Sequence, residues 1–377
     1  MLRLLAVAFA LLFPLATAAA QASLSVQGLG FPPGQLSTRA EGSGGSTADF
    51  DPLTAINPAS LATVGITSLF LQYSPEFRKV TAGSGSASTM TARFPVFGAV
   101  MPIGGSLTAG FSASTFLDRS FETRSERTEI IGAPEDEVEV TERLRVLGAI
   151  NDLRLGMAWG TSAKFRIGAA AHIFTGRNRV TLDEIYSDSV RNTSNTQQSS
   201  VSYFGLGGSV GVSYHPSRVI GFALSGRKGG ELRAESGDTT VATANVPDRI
   251  SAGVTYEGIT GATLSARVSR EMWSSLAGLS GSGGVFDGWE SSVGAEVSGP
   301  RLMQRIVTLR AGGRYRTLPF GFNGAEVSET AFMAGFGAPL TRNRATFDFA
   351  VQRATRSSSA NVDERGFIFS FGLRVSP

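Results

Sequence analysis

The sequence contains no cysteine, only three lysines among its 34 basic residues, and little charge of either sign. Without cysteine the chain has no disulfide, no thiol nucleophile and no cysteine-based metal site. Charged residues make up 17% of the chain, below the roughly 25% that is usual for soluble domains. The basic residues are mostly arginines scattered along the chain, and the formal net charge is only +3. This distribution argues against a nucleic-acid partner.

Long apolar runs are also missing after the first 20 residues, so no later stretch approaches the ~18 apolar residues of a spanning helix. The N-terminus has the pattern of a secretory signal: Arg3 supplies a positive charge, residues 4–15 are largely apolar, and residues 18–20 are alanines. An N-terminal membrane anchor is the alternative, but an apolar core of about 12 residues is too short to span comfortably. We predict that residues 1–20 are a cleaved signal peptide and that the protein is exported.

The remaining chain alternates between apolar and polar or small residues. Between 153 and 159, for example, Leu153, Leu155, Met157 and Trp159 oppose Arg154, Gly156 and Ala158. The last strand repeats the pattern, because its odd-numbered positions from Phe367 to Val375 are all apolar. A period of two residues predicts β-strands with two different faces. A soluble antiparallel sandwich would show the same period, but here the polar faces are rich in glycine, serine and isolated charges, as in a lumen.

The predicted connections alternate in length, as in outer-membrane barrels. Short turns are predicted at 102–105, 161–164, 215–218, 257–261, 298–302 and 339–344, and longer loops near 76–88, 121–138, 179–197, 234–244, 272–287, 318–328 and 355–363. Thirteen connections imply 14 strands, and an even number puts both barrel ends on the periplasmic side. We therefore predict an all-β, membrane-spanning antiparallel β-barrel of about 14 strands over residues 66–377, located in the bacterial outer membrane.

Several charged residues fall on the predicted inner face of these strands. The set that we single out is Arg154, Arg166, Arg310, Arg314, Glu296 and Asp348. A charge on the lipid face would cost on the order of 2–4 kcal/mol at mid-depth, so these residues are expected to face the lumen. Structural ion pairing is the favoured role. Capture of a ligand carboxylate is the alternative, because the guanidinium fork binds carboxylates through two hydrogen bonds.

Residues 21–65 are not strand-like and are rich in Gly, Ser, Ala and Pro. We expect this segment to fold back as a hatch, or plug, at the periplasmic mouth, and a disordered tail is the alternative. Asp51 and the sequence Asn57-Pro58-Ala59 mark the hatch motif. This segment resembles the N-terminal hatch of the FadL/TodX outer-membrane transporters, which typically carry aspartates and an Asn-Pro-Ala motif before the first strand. The Pro-then-strand pattern from Val246 and the stretch from Leu309 to Leu340 are similar to later parts of these barrels.

The resemblance implies a hatch-plugged barrel that passes hydrophobic small molecules, fatty acids in the best-known members, by passive diffusion. It also implies a lateral exit beside an inward strand kink; residues 148–151 are the candidate for this kink, and an ordinary bulge is the alternative. The implied partners are a hydrophobic small molecule or fatty acid, outer-membrane lipid and, during biogenesis, the barrel-assembly machinery. The family also contains barrels that act as secretion shuttles or scaffolds for exported proteins, and this role is the alternative function. The chain ends in Ser376-Pro377 rather than in the common terminal aromatic residue.

No catalytic set stands out from the sequence. His172 lies on the polar face of its strand and His215 in a short turn, so either could meet a serine, but serine is abundant and such pairs arise by chance. Two separated histidines make a histidine-based metal site unexpected. We predict that the protein is not an enzyme and has no cofactor or metal.

Overall fold

The computed structural model describes residues 29–82, 85–130, 137–160, 162, 164–187, 193–279, 284–302, 305–322, 324–341, 344–358 and 362–377. The predicted signal peptide and the first residues of the predicted hatch lie outside this range. None of the helices in the described ranges has the length and apolarity that crossing a bilayer requires. The chain is built almost entirely from one antiparallel sheet.

The sheet contains seventeen hydrogen-bonded segments. They are β1 Ser68–Ala82, β2 Gly85–Arg93, β3 Val96–Gly104, β4 Leu107–Asp118, β5 Phe121–Ile130, β6 Glu137–Gly160, β7 Phe165–Tyr186, β8 Asn195–Tyr214, β9 Ile220–Ser236, β10 Thr239–Asn245, β11 Arg249–Ile259, β12 Ala262–Glu271, β13 Gly288–Leu302, β14 Arg305–Phe322, β15 Ala325–Thr341, β16 Ala345–Ser358 and β17 Val362–Val375. The helical elements are α1 Thr38–Gly42 and two short 3-10 helices, Pro58–Thr63 and Trp273–Leu279.

These segments form 14 strands, because three strands are each interrupted once. β2 and β3 are parts of one strand, as are β4 and β5, and both β10 and β11 pair with β9. β17 pairs with β1 from Leu69↔Val375 to Ala82↔Val362, so the sheet closes on itself. The prediction of a 14-stranded antiparallel barrel is confirmed.

The two faces of the wall differ as the period-two pattern predicts. Leu155 is 64% exposed on the outer face, whereas its neighbour Arg154 is 3% exposed on the inner face. The outer face carries a large number of exposed apolar side chains, including Trp159, Val293 and Phe332. Charged and small residues point inward, where lipid cannot reach them.

Most predicted turns lie close to the observed ones, but several predicted loops are strand. β1 runs to Ala82 and β2 begins at Gly85, so the predicted loop near 76–88 is mostly hairpin. The predicted loops near 234–244, 318–328 and 355–363 are likewise largely occupied by β9–β10, β14–β15 and β16–β17. Backbone pairing continues past the apolar band because strand hydrogen bonds form in water as well as in lipid. Polarity alone therefore overestimates the length of these loops.

The interruption predicted at residues 148–151 lies in the neighbouring strand instead. β6 continues through Gly148 and pairs with β7 without a register shift. The register shift between Thr115 and Leu117 belongs to β4, and the strand is then broken between Asp118 and Phe121. On the long-loop side of this break, β2 pairs with β1 and β5 pairs with β6. No ladder joins β2 to β5 among the described residues.

Residues 29–65, which we call the lumen segment, lie inside the barrel. Helix α1 packs against β14–β17, while the 3-10 helix Pro58–Thr63 packs against β4 and β6–β8. These two groups of strands lie on different sides of the closed wall. The segment therefore crosses the lumen and is enclosed by the sheet.

Candidate functional site

The Asn-Pro-Ala motif docks the lumen segment onto the wall. The Asn57 Oδ1 accepts a hydrogen bond of 2.9 Å from the amide of Ala59 and thereby caps the 3-10 helix, a role that suits asparagine. The Asn57 Nδ2 donates to the carbonyl oxygens of Asp49, at 3.0 Å, and Val212, at 3.4 Å. One side chain thus fixes the local turn and joins it to β8.

The wall is shaped for this motif by glycine. Side chains at Gly168 and Gly211 would overlap Pro58 and Asn57 respectively. Both glycines face the lumen at the level of the 3-10 helix, and only the missing β-carbon permits so close a backbone approach. The predicted motif residues Asn57, Pro58 and Ala59 are therefore a packing site between the segment and the wall.

Two aspartates of the segment have different partners. Asp49, which sequence reasoning did not select, accepts hydrogen bonds from the Ser225 Oγ at 2.7 Å, the Ser251 Oγ at 2.5 Å and the Arg267 Nε at 2.8 Å. It is fully buried, so its charge is compensated by wall residues from β9, β11 and β12. Its position two residues before the predicted Asp51, in the same motif, was the available signal.

The predicted Asp51 works within the segment. It accepts a hydrogen bond of 2.6 Å from the Ser37 Oγ and one of 3.0 Å from the amide of Leu53. These contacts hold the loop that follows helix α1 against the helix N-terminus. Asp51 therefore shapes the segment, and Asp49 attaches it to the barrel.

Three of the six predicted lumen charges meet in one group. The Arg310 Nε lies 2.9 Å from Glu296, and its Nη1 lies 2.6 Å from Asp348. Glu296 also receives two hydrogen bonds from Arg39 of the lumen segment, at 2.9 and 2.7 Å. The group joins the segment to β13, β14 and β16 through charge-assisted hydrogen bonds.

The other predicted charges are dispersed. The Arg154 Nη1 donates to the carbonyl oxygen of Thr54 at 3.1 Å, and the Arg314 Nη2 lies 3.1 Å from Glu329. Arg166 lines a cavity of about 620 Å³ at the short-turn end of the barrel, together with Arg374, His215 and Glu257. We call this space the mouth cavity. The predicted charges all face inward, but the structure distributes them over several places.

A second, larger set of charges lies further from the mouth cavity. This ionic cluster consists of Arg78, Arg93, Arg314, Arg316, Arg356, Glu76, Glu329, Glu364 and Asp118. At its centre the fully buried Arg356 contacts Glu76 at 2.8 Å, Glu329 at 2.7 Å and also Glu364. The four acids offset four of the five arginine charges, so most of the charge is balanced within the cluster.

The ring of Phe31 is inserted among these arginines. The guanidinium carbons of Arg356, Arg78, Arg93 and Arg316 lie 4.5, 5.0, 5.0 and 5.3 Å from the ring centroid. Guanidinium groups are attracted to aromatic faces at these distances. The backbone of Phe31 also forms a two-way bridge with Asp118, at 2.7 and 2.9 Å, beside the interruption of the β4–β5 strand. The lumen segment is thus fixed at the wall where the strand breaks.

An apolar cluster fills the neighbouring part of the lumen. Its members are Leu29, Phe116, Leu117, Ile150, Phe174, Tyr203, Leu232, Ala234, Val246, Trp273 and Leu276. The ring of Phe116 stacks on Trp273, with centroids 5.3 Å apart, and meets Phe174 edge-on at 5.0 Å. The second 3-10 helix supplies Trp273 and Leu276 and covers the cluster. Such a group of buried apolar side chains, enclosed inside a barrel, favours apolar occupants.

Helix α1 buries the carboxyl group of Glu41, where the charged form is unfavourable. Burial raises the pKa of Glu41 to about 7, although a hydrogen bond from Ser370 and the charges of Arg314 and Arg316 lower it. The carboxyl group contacts β17, the last strand of the barrel. The contact therefore depends on protonation near neutral pH.

Solved structures with this architecture exist. A Pseudomonas aeruginosa FadL homologue is 14% identical, with a TM-score of 0.63 over 92% of this chain and 99% of that one. The Pseudomonas putida toluene transporter TodX is 13% identical, with a TM-score of 0.58 over 92% and 98%. The Ralstonia pickettii toluene transporter TbuX is 14% identical, with a TM-score of 0.56 over 90% and 98%. The predicted resemblance to FadL/TodX-type barrels is confirmed at the level of the fold.

A search of the curated proteins finds no match. The BamG family matches residues 1–225. This range includes the whole lumen segment and the strands up to β8, and it exceeds half of the 377 residues. The chain therefore belongs to the BamG family.

Proposed function

We propose that the protein is an outer-membrane transporter that passes hydrophobic, fatty-acid-like small molecules by passive diffusion. Residues 1–20 would direct export and be removed, and residues 21–65 would form the hatch that blocks the lumen. Related barrels of the same fold include two toluene transporters. In this proposal the hydrophobic molecule is held inside the wall before it passes further.

The observation that carries the proposal is the apolar cluster and its position. Phe116 and Leu117 lie at the register shift of β4, directly before the strand breaks. In the same region β2 and β5 are not joined by a ladder among the described residues. An apolar molecule that enters between these strands would reach the cluster without crossing the charged part of the lumen. Burying it there would contribute about 25 cal/mol per Å² of apolar surface.

The carboxylate of a fatty-acid-like ligand would need a separate partner. Arg310 and Arg314 are bound to acidic residues, which supports a structural role for both. Arg166 lines the open mouth cavity, so we propose it as the residue that receives a carboxylate on the exit side. Arg166→Gln should slow the uptake of fatty acids but not that of an uncharged hydrocarbon of similar length.

The proposal is tested by mass spectrometry of small molecules extracted from the protein purified in mild detergent, with an unrelated barrel as control. Enrichment of a hydrophobic class is the expected result. Phe174→Ala removes an apolar-cluster ring, and Phe204→Ala removes a ring on the outer face of the adjacent strand, where Phe204 is 54% exposed. Only the first variant should change the amount of bound molecule. An extract that matches the control would contradict the proposal.

A second candidate function is a scaffold or shuttle for exported proteins. The observation that favours it is the strength of the attachment between the lumen segment and the wall, since Asp49, Arg39 and Phe31 are all held by buried charged groups. The family name is also compatible with a link to barrel assembly. Co-purification of an exported protein, after crosslinking in intact cells, together with a lipid-free extract, would favour this role over transport.

A further inference from the structure

Three polar side chains on consecutive strands form a hydrogen-bonded chain inside the barrel. Asp152 on β6 lies 2.8 Å, through Oδ1, from the Nδ1 of His172 on β7. The Nε2 of His172 lies 2.8 Å from the Oγ of Ser209 on β8. The three residues are 0%, 1% and 4% exposed. The transport proposal does not use them.

The connectivity is that of a nucleophile, a base and an orienting acid. A carboxylate on Nδ1 fixes the imidazole tautomer with its proton on that nitrogen, which leaves Nε2 free to accept the proton of the serine hydroxyl. Both distances fall within the hydrogen-bond range that proton transfer requires.

The surroundings supply two further requirements. Arg154 pairs with His172 in the β6–β7 register and is 97% buried, and its Nε and Nη2 have no hydrogen-bond partner among the described residues. Unpartnered buried donors are costly unless another group uses them. On the other side the ring of Phe174 stacks on His172, with centroids 5.9 Å apart and an interplanar angle of 10°. Phe174 belongs to the apolar cluster, so an acyl chain held there would end beside His172.

The sequence around Ser209 reads Gly207-Gly208-Ser209-Val210-Gly211, which matches a short motif of serine hydrolases. The motif has no weight here, because it requires a sharp strand-to-helix turn and Ser209 lies within a strand. Gly211 is explained by its contact with Asn57, and Gly207 by its approach to Phe174. The inference therefore rests on the three side chains and on Arg154.

We propose that Ser209, His172 and Asp152 hydrolyse an ester of a hydrophobic carboxylic acid that is bound in the apolar cluster. The Ser209 Oγ attacks the carbonyl carbon while His172 takes the hydroxyl proton, and Arg154 donates hydrogen bonds to the resulting oxyanion. The carbon–oxygen bond to the alcohol breaks, and His172 returns the proton to the leaving oxygen. Water then attacks the acyl-serine, His172 again transfers the proton, and the carboxylic acid and free Ser209 are released.

The lumen segment controls access to this site. The Gln35 Nε2 donates to Asp152 at 2.8 Å and to the Ser114 Oγ at 2.7 Å. A substrate must pass beside these contacts to reach Ser209. Gln35→Ala removes these two hydrogen bonds and the one that the Arg227 Nη1 donates to the Gln35 Oε1 at 3.3 Å. It leaves the contacts of His172 with Asp152 and Ser209 in place, so this variant should expose the serine more often.

The experiment uses the full-length chain in detergent micelles. An alkyl fluorophosphonate is the covalent probe, and p-nitrophenyl esters of medium-chain acids are the substrates. We expect labelling of Ser209 in the wild type, stronger labelling in Gln35→Ala, and none at this position in Ser209→Ala. Asp152→Asn should lower ester hydrolysis by on the order of 10⁴-fold, because the imidazole loses its orienting carboxylate. Ser213→Ala, a buried serine four residues along the same face, should retain both labelling and hydrolysis.

The rate of hydrolysis should also rise with pH as His172 loses its proton, and His172→Asn should abolish the hydrolysis. Each variant is first checked for the heat-dependent gel mobility of a folded barrel. If neither the folded wild type nor folded Gln35→Ala is labelled at Ser209, the three residues are only a structural connection and the proposal is wrong. Labelling or hydrolysis that persists in Ser209→Ala would also overturn it. These outcomes do not depend on whether the barrel transports anything.

Discussion

Leu29 and Phe31 are two residues apart, yet they occupy opposite environments. Leu29 belongs to the apolar cluster, whereas Phe31 is surrounded by four arginines of the ionic cluster. One short peptide therefore joins the two halves of the lumen. The difference indicates that the apolar cluster is suited to accept apolar molecules and that the ionic cluster is suited to hold the strands in place.

The ionic cluster depends on specific pairs of charged groups in specific orientations. Each carboxylate of Glu329 and Glu76 is shared by three arginines, at distances of 2.5 to 3.1 Å. Removal of one partner leaves other buried charges without compensation, which is far more costly than losing the pair as a whole. Such an arrangement tolerates little change and keeps the strands in one geometry.

The apolar half depends mainly on burial and shape. Apolar side chains accept replacements of similar volume at small cost, usually below about 1.5 kcal/mol. An incoming hydrophobic molecule can therefore replace Leu29 without leaving a charged group unsatisfied. On this comparison we expect ligands in the apolar cluster and structural support from the ionic cluster.

The largest effect should come from breaking the ionic half. Arg356→Ala leaves Glu76, Glu329 and Glu364 without their shared partner, and we expect a loss of about 3–5 kcal/mol in the free energy of unfolding. Thermal unfolding followed by heat-dependent gel mobility measures this loss. Arg353→Ala is the matched control, because Arg353 lies on the outer face of the same strand, over the ring of Phe367. Equal effects of the two variants would remove the distinction between the two faces.

A smaller effect should follow when the attachment of the lumen segment to the wall through Asp49 is removed. Asp49→Ala deprives Ser225, Ser251 and Arg267 of their acceptor, and a hydrogen bond to a charged group contributes about 1.5–3 kcal/mol. We expect the lumen segment to leave its position more often and the barrel to conduct ions in planar bilayers. Asp51→Ala should conduct less, because the hydrogen bonds that Asp51 accepts among the described residues come from its own segment. A silent Asp49→Ala variant would mean that the two clusters alone hold the segment.

The difference between the surroundings of Leu29 and Phe31 can be tested by truncating each side chain to alanine. Leu29→Ala opens space in the apolar cluster, and we expect an apolar fluorescent probe to bind roughly tenfold more tightly, which corresponds to about 1.4 kcal/mol. Phe31→Ala opens space among arginines, and the same probe should gain nothing there. Titration of both variants by fluorescence gives the comparison. Tighter binding in Phe31→Ala would place the hydrophobic site in the wrong half of the lumen.

The smallest effect concerns pH. Since the pKa of Glu41 in the seated segment is raised to about 7, this carboxyl group is neutral there at pH values where a water-exposed carboxyl group is ionised. The seated state is therefore fully favoured below pH 4.5, and this contribution is lost progressively as the pH rises to about 7. Hydrogen exchange of α1, corrected for its intrinsic pH dependence, should accelerate a few-fold between pH 5 and pH 8. Glu41→Gln should abolish the difference, and a persistent difference would assign it to another group.

The sequence predicted the strand number and the inward position of the charges because both depend on local rules. A period of two residues and the cost of charge in lipid are properties of single strands. The residues of the ionic cluster were mostly missed because Glu76 and Arg78 fell within one predicted loop and Arg356 within another. Polar stretches look like loops even when they are strands that continue above the apolar band.

The two internal clusters could not be predicted because they join residues that are far apart in sequence. Leu29 joins the same cluster as Leu276, and Phe31 meets Arg356, only after the barrel closes. Nothing in the local sequence of Phe31 distinguishes it from any other exposed or buried aromatic residue. The hatch motif was recognisable because its asparagine caps its own helix, which is again a local property.

The pairing of β17 with β1 has a consequence for the order in which the barrel assembles. The lumen segment directly precedes β1, and its Glu41 contacts Ser370 of β17. The lumen segment is therefore synthesised before the strands that enclose it, and β17 closes the wall around it. Once the final strand has paired, the wall is closed laterally, and a segment can enter or leave the lumen through an end of the barrel. A barrel assembled without residues 29–65 would accordingly start empty, and a peptide supplied afterwards would have to enter through the mouth.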